Sequence, residues 1–256
     1  MNVFRSIVFS AVVAGLAVGG AITVIQQFGT VPLILKAEAY EKAAEHRETG
    51  PAAAPSGPAT AASHDHFETA NAEHEHNAEA WEPRDGLERS AFTAGANVLT
   101  AISFALILAS LFAIRSEDAG KRISWHEGLV WGLAGFAVVT LAPGLGLPPE
   151  LPGMTAAPLL SRQVWWVAAA LASAVGLSLI FLRATVPATI AGLIFIVLPH
   201  LIGAPELETV GTNVPASLSH QFVVAVTLTS LVFWSMLGGL TGIAFAYFDR
   251  PGSEIR

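Results

Sequence analysis

Six long apolar stretches limit what this chain can become. They cover residues 6–28, 91–114, 127–147, 163–182, 186–202 and 221–248. A helix needs roughly 20 apolar residues to cross the ~30 Å hydrocarbon layer of a bilayer. Within lipid, only helices and closed barrels satisfy every backbone polar group internally. Runs this long and continuous read as helices, so the expected fold class is an all-α, polytopic membrane bundle. Composition agrees: 53% of the 256 residues are hydrophobic and 13% charged, whereas a soluble domain carries about a quarter charged. The stretch 186–202 is short, contains Pro187 and Pro199, and follows its predecessor after only Arg183-Ala184-Thr185. It either spans or re-enters, which gives six crossings or five.

Positive charge sets the orientation, because short cytoplasmic loops collect Lys and Arg. With six crossings, Arg5, Arg115, Lys121, Arg122, Arg183 and Arg250 share one side, and the opposite short loops hold Arg162 alone. Five crossings would move Arg250 across, so the charges favour six, with both termini in the cytoplasm. The first stretch reads as an uncleaved anchor, since its apolar run exceeds the roughly 7–15 residues of a signal peptide.

The loop 29–89 then lies outside the cell. It holds twelve Asp and Glu against five Lys and Arg, a net charge of −7 that equals the formal charge of the whole chain. Such a field draws in cations and repels nucleic acid. Residues 32–48 read as a helix with Pro32 in its first turn and Glu38, Lys42 and His46 at four-residue spacing. Residues 50–62 form an Ala/Pro/Gly/Ser linker, and 64–79 are polar without apolar periodicity.

That last part carries His64-Asp65-His66 and Glu73-His74-Glu75-His76. Neutral imidazole and carboxylate together coordinate transition-metal dications. In an extended chain residues two apart point the same way, so His64 with His66, and His74 with His76, can each share an ion. A helix would turn them apart by about 200°. A solvated linker with idle histidines has the same composition. Intrinsic affinity does not select among Co²⁺, Ni²⁺ and Zn²⁺.

Other candidates sit at the edges of the apolar stretches. His200 follows Pro199 near an outer end, and an ionisable group at membrane depth is a functional hypothesis by default. His220 opens the last stretch on the same side, where the two could face each other, and His126 opens the third on the cytoplasmic side. Glu38 and Glu41 lie just beyond the first stretch. Gln26, Gln27 and Asn97 can bond across helices or line a polar seam for a partly hydrated cation. The loop 143–158 offers Glu150, while Arg162, Trp165 and Trp166 suit the interface. For each histidine alone, a bland interfacial role competes with ligation. Small residues recur four apart at Gly15/Gly19, Gly128/Gly132, Ala172/Gly176 and Gly238/Gly242, a spacing that lets helix backbones approach.

The chain has no cysteine, so it has neither disulfides nor thiolate ligands. It also lacks the phosphate-binding Gly-x-x-x-x-Gly-Lys-Ser/Thr loop and the His-Glu-x-x-His zinc-hydrolase helix. An enzyme is therefore not expected. ATP need not be required: a dication moving inward gains ~4.6 kcal/mol per 100 mV, enough for about 10³-fold accumulation.

Gln26-Gln27 followed by Pro32-Leu33-Ile34-Leu35-Lys36-Ala37-Glu38-Ala39-Tyr40-Glu41 resembles the first-span exit of the CbtA family, the predicted cobalt transporter subunits. The resemblance continues through Trp81-Glu82-Pro83-Arg84-Asp85-Gly86-Leu87-Glu88-Arg89 into Asn97, then Pro148-Pro149-Glu150-Leu151-Pro152-Gly153 and Arg162-Gln163-Val164-Trp165-Trp166. It ends at Pro199-His200 and Gly203-Ala204-Pro205, so it covers nearly the whole chain. It implies a multi-pass bacterial inner-membrane protein that takes up Co²⁺ for cobalamin synthesis. It further implies a small one-span partner, CbtB, bearing its own histidines. No ligand set comes with it, so the candidate residues rest on their own chemistry. The rival of another class is a non-conducting metal sensor, chaperone or scaffold for that partner. A membrane enzyme acting on lipid or cell wall lacks a recognisable nucleophile–base pair. The sequence leaves self-association open.

Overall fold

The computed structural model describes residues 3–49, 83–84, 86–119, 123–206 and 214–249. The pairs His64/His66 and His74/His76, with the linker before them, lie outside these described residues. Helix α1 spans Val3–Phe28, α2 Val31–Thr49 and α3 Leu87–Ala119. Helix α4, Trp125–Phe136, continues through a π-helical turn, Ala137–Leu141, into α5, Ala142–Gly146. Helix α6, Leu159–Ser178, ends in a second π turn, Leu179–Arg183, before α7, Val186–Ile202, and α8, Ala216–Phe248. No strand occurs among the described residues.

Among the described residues, five helical runs are long and apolar enough to cross a membrane: Val3–Phe28, Leu87–Ser116, Trp125–Gly146, Leu159–Arg183 and Ala216–Phe248. Helix α7 has 17 residues, or about 25 Å of rise. It runs antiparallel along α6, with Gly192 against Gly176 and Pro199 beside Trp165. The helical reading of 32–48 agrees with α2.

Helices α1, α3, α4 and α8 form the main bundle. Its interior is built from Ala11, Val18, Ala105, Phe112, Leu237 and Phe245. Lipid is as apolar as leucine, so close packing rather than water exclusion must hold such helices together. The four-residue small pairs supply that packing. A Cβ on Gly19 would sit 2.5 Å from Val98 Cα, and one on Gly15 2.7 Å from Ile102 Cα, so α3 lies directly on α1. Gly128 and Gly132 meet Gly238 and Gly242 in the same way, and a Cβ on Gly132 would overlap Trp234 O. At the far end of this bundle Ser6 Oγ donates to Phe248 O at 3.0 Å, joining α1 to α8.

The α6–α7 hairpin is a second unit, joined to the first chiefly through the π turn after α4 and through α5. That turn has a local cause. Pro143 is buried and has no N–H, and its ring crowds the carbonyl four residues back. The chain widens there, and Ala142 N–H bonds Ala137 O, five residues earlier. At the end of the second π turn Ala184 adopts a left-handed φ of 46°, which turns the chain into α7.

Candidate functional site

The end of the bundle that carries α2 gathers most of the sequence candidates. Ala37, Leu151, Val214, Leu218 and Phe222 pack together there, tying α2, the loop after α5 and the start of α8 into one cap. Beneath it, Asn97 Nδ2 on α3 donates to Gln26 Oε1 at 2.7 Å and to Thr23 Oγ1 at 3.0 Å, both on α1. Gln27 Nε2 lies 3.5 Å from Ser90 Oγ one turn further out. The three amides singled out in the sequence thus lie along one interhelical seam. Gln26 also walls a cleft of about 210 Å³, with Thr30, Thr229 and Ser230 as its other polar sides and Ile34, Phe222 and Val226 as its apolar ones.

The carboxylates near this end are differently placed. Glu38 is gripped by both terminal nitrogens of Arg89, at 2.5 and 3.2 Å, the forked geometry in which guanidinium and carboxylate match best. Glu41 is half-buried beside Gly153, where an added Cβ would come within 3.2 Å of Glu41 Cβ. Gly153 has φ of +76°, a second reason for glycine. Glu150 accepts an ion pair from Arg162 Nη2 at 2.7 Å.

His200 lies on the hairpin, its ring 5.7 Å from that of Trp165 at 70°, and its Nε2 is buried without a hydrogen-bond partner. Trp165 Nε1 donates to Pro199 O at 3.3 Å, using a carbonyl at the end of α7. His220 is exposed in the first turns of α8. Helix α7 packs on α6, whereas α8 packs on α1, α3 and α4, so no extended interface brings His200 and His220 together. His126 is exposed at the start of α4 and stacks on Trp125 at 3.5 Å. Among the described residues no group of three or more His, Asp or Glu is placed to hold a metal.

Sequence reasoning missed Thr30, Thr229, Ser230 and Arg89. Hydroxyls inside an apolar helix usually bond the carbonyl four residues back, as Thr227 does to Val223 O. Nothing in the spacing marks the neighbouring Thr229 and Ser230 as different. Equally informative is what the apolar helices contain. Residues 6–28, 90–114, 128–149, 163–182, 184–199 and 221–246 include no Asp, Glu, His, Lys or Arg. Every side chain that a cation could meet along these segments is uncharged.

A family model, described as a probable cobalt transporter subunit (CbtA), matches residues 4–246. The chain belongs to the CbtA family. No curated protein and no solved structure matches it. The all-helical architecture and its five long apolar helices fit a membrane protein with a cobalt transport role. Being described as a subunit, a CbtA chain has a partner subunit implied.

Proposed function

We propose that this CbtA-family chain conducts Co²⁺ inward across the bacterial inner membrane, supplying cobalamin synthesis, and is not itself an enzyme. The α2 end faces outward in this reading, both termini are cytoplasmic, and α7 is the sixth crossing. His64, His66, His74 and His76 raise the local ion concentration, and Glu38, Glu41, His200 and His220 hand the ion to the helices. The supporting observation is the uncharged cleft whose polar walls are Gln26, Thr30, Thr229 and Ser230, sharing Gln26 with the Asn97 bond beneath α2. Hydroxyl and amide oxygens can replace part of a hydration shell without trapping the ion, as conduction requires. Glu150 and His126 stand at the two mouths as secondary contacts. A small membrane partner of the CbtB type completes the transporter, and Ni²⁺ or Zn²⁺ can use the same donors.

The test is Co²⁺ influx into vesicles holding the purified protein, alone and with its partner subunit, read by quenching of an interior dye. Influx that falls in Gln26→Leu and in the His200→Ala/His220→Ala pair supports the path. Unchanged influx in the histidine pair removes both from it.

One observation favours a second reading, a non-conducting metal sensor or scaffold. Glu38 and Glu150 are already engaged by Arg89 and Arg162. In that case vesicles show no dye signal with or without the partner, while the full chain still binds Co²⁺.

A further inference from the structure

The size and lining of the cleft beside Gln26 bear on the form in which an ion would occupy it. Its volume is about 210 Å³. An octahedral dication with its first shell complete carries about six waters, and at ~30 Å³ each these occupy roughly 180 Å³. We propose that the cleft takes the dication as its intact hydrate, held by hydrogen bonds from the shell waters to protein oxygens rather than by direct ligation. This rests on the reading of the cleft as part of the ion path, and it leaves exchange of shell waters to the neighbouring Asn97 seam.

The first support is a surplus of acceptors. Water on a cation is a strong hydrogen-bond donor, so a hydrate needs acceptors around it. No hydrogen bond among the described residues uses the hydroxyls of Thr30, Thr229 and Ser230, although all three residues line the cleft and Thr30 is only 7% exposed. Thr227, by contrast, spends its hydroxyl on Val223 O. Each hydroxyl oxygen has two acceptor lone pairs. Gln26 adds a fourth acceptor: Asn97 Nδ2 donates to its Oε1 at 2.7 Å, which leaves that oxygen a second lone pair.

The second support is the absence of anything to compensate a stripped ion. The lining contains no carboxylate or imidazole. Helix α1 ends at Phe28 and α2 begins at Val31, so opposite dipole ends meet beside the cleft and offset each other. Removing water from a dication without a counter-charge is strongly unfavourable. The remaining walls, Ile34, Phe222 and Val226, are apolar and cannot replace a lost water. An ion without its shell would face empty coordination positions on that side.

The test uses inert complexes, whose ligands do not exchange. Hexaamminecobalt(III) matches the hydrate in shape and offers only hydrogen-bond donors. Tris(ethylenediamine)cobalt(III) has the same charge and N–H donors on a wider frame. Equilibrium dialysis of the purified full chain, in salt that screens the acidic loop, should show the hexaammine bound and the wider complex weak. Thr229→Val/Ser230→Ala should weaken the hexaammine by about tenfold. Should that pair fail to fold, Thr30→Val carries the comparison. In vesicles the hexaammine should block Co²⁺ influx. Equal binding of the two complexes, unchanged binding in the variants, or influx that continues under saturating hexaammine overturns the proposal. A chain that binds the hexaammine selectively yet passes no Co²⁺ would sink the transport reading and uphold the hydrate site.

Discussion

Asn97 donates from a single amide nitrogen to both Thr23 and Gln26, so its loss affects helix packing and the cleft wall together. Interhelical hydrogen bonds in membranes contribute about 0.6 kcal/mol on average and up to ~1.7. Asn97→Leu should therefore lower stability within that range by thermal melting in detergent, while Co²⁺ influx falls by about tenfold, ~1.4 kcal/mol in the barrier. A drop in melting with unchanged influx would leave Asn97 as packing alone. The Arg89–Glu38 pair gives an opposite sign. Both side chains are partly exposed, so breaking the pair costs under about 1 kcal/mol. Arg89→Gln should nonetheless raise low-salt Co²⁺ influx by freeing a carboxylate. Reduced influx would mean that Glu38 matters only as a tether for α2. The Asn97–Gln26 meeting was legible because both are rare polar groups in apolar runs. The Arg89–Glu38 pairing was not, since 51 residues separate them and every nearby acid looked equivalent.

Among the elements, the glycine contacts are the firmest link between sequence and packing. Gly132 meets Gly238 so closely that a Cβ there would lie 3.0 Å from its Cα and also overlap Trp234 O. Gly132→Leu should separate α4 from α8 and abolish recovery of monodisperse protein by size-exclusion chromatography. Gly239 faces open space, and Gly239→Ala should leave recovery unchanged. The small-residue spacing announced these contacts but not their partners. His200 and His220 show the same limit. Their shared side of the membrane follows from span counting, but α7 pairs with α6 through Gly192 and Gly176 rather than with α8. Neighbour choice is set by shape complementarity between helices, which residue spacing does not encode.

For the whole molecule, the decisive property is that residues 6–28, 90–114, 128–149, 163–182, 184–199 and 221–246 hold no carboxylate, imidazole or amine, with His200 just beyond them at the end of α7. Exchange of a proton for a metal needs a group that binds both, and these segments provide none. Co²⁺ influx should therefore rise with an inside-negative potential, by about 2.3 kcal/mol per charge per 100 mV at equilibrium. An imposed pH difference at clamped voltage should leave it unchanged. Vesicles clamped with potassium and valinomycin decide this: influx that follows the pH difference would require a titratable group on the path, His200 at the end of α7 or one from the partner subunit. The helical class and the long apolar helices were legible from hydropathy. The division into a main bundle and an α6–α7 hairpin was not, because it depends on which helices pack together.

Ser6 and Phe248 clasp the first and last long helices at their common end. The start of α1 and the end of α8 accordingly lie side by side. A short peptide bridge from α8 back to α1 would make a ring, and a fresh break could then be opened elsewhere without disturbing a single helix contact.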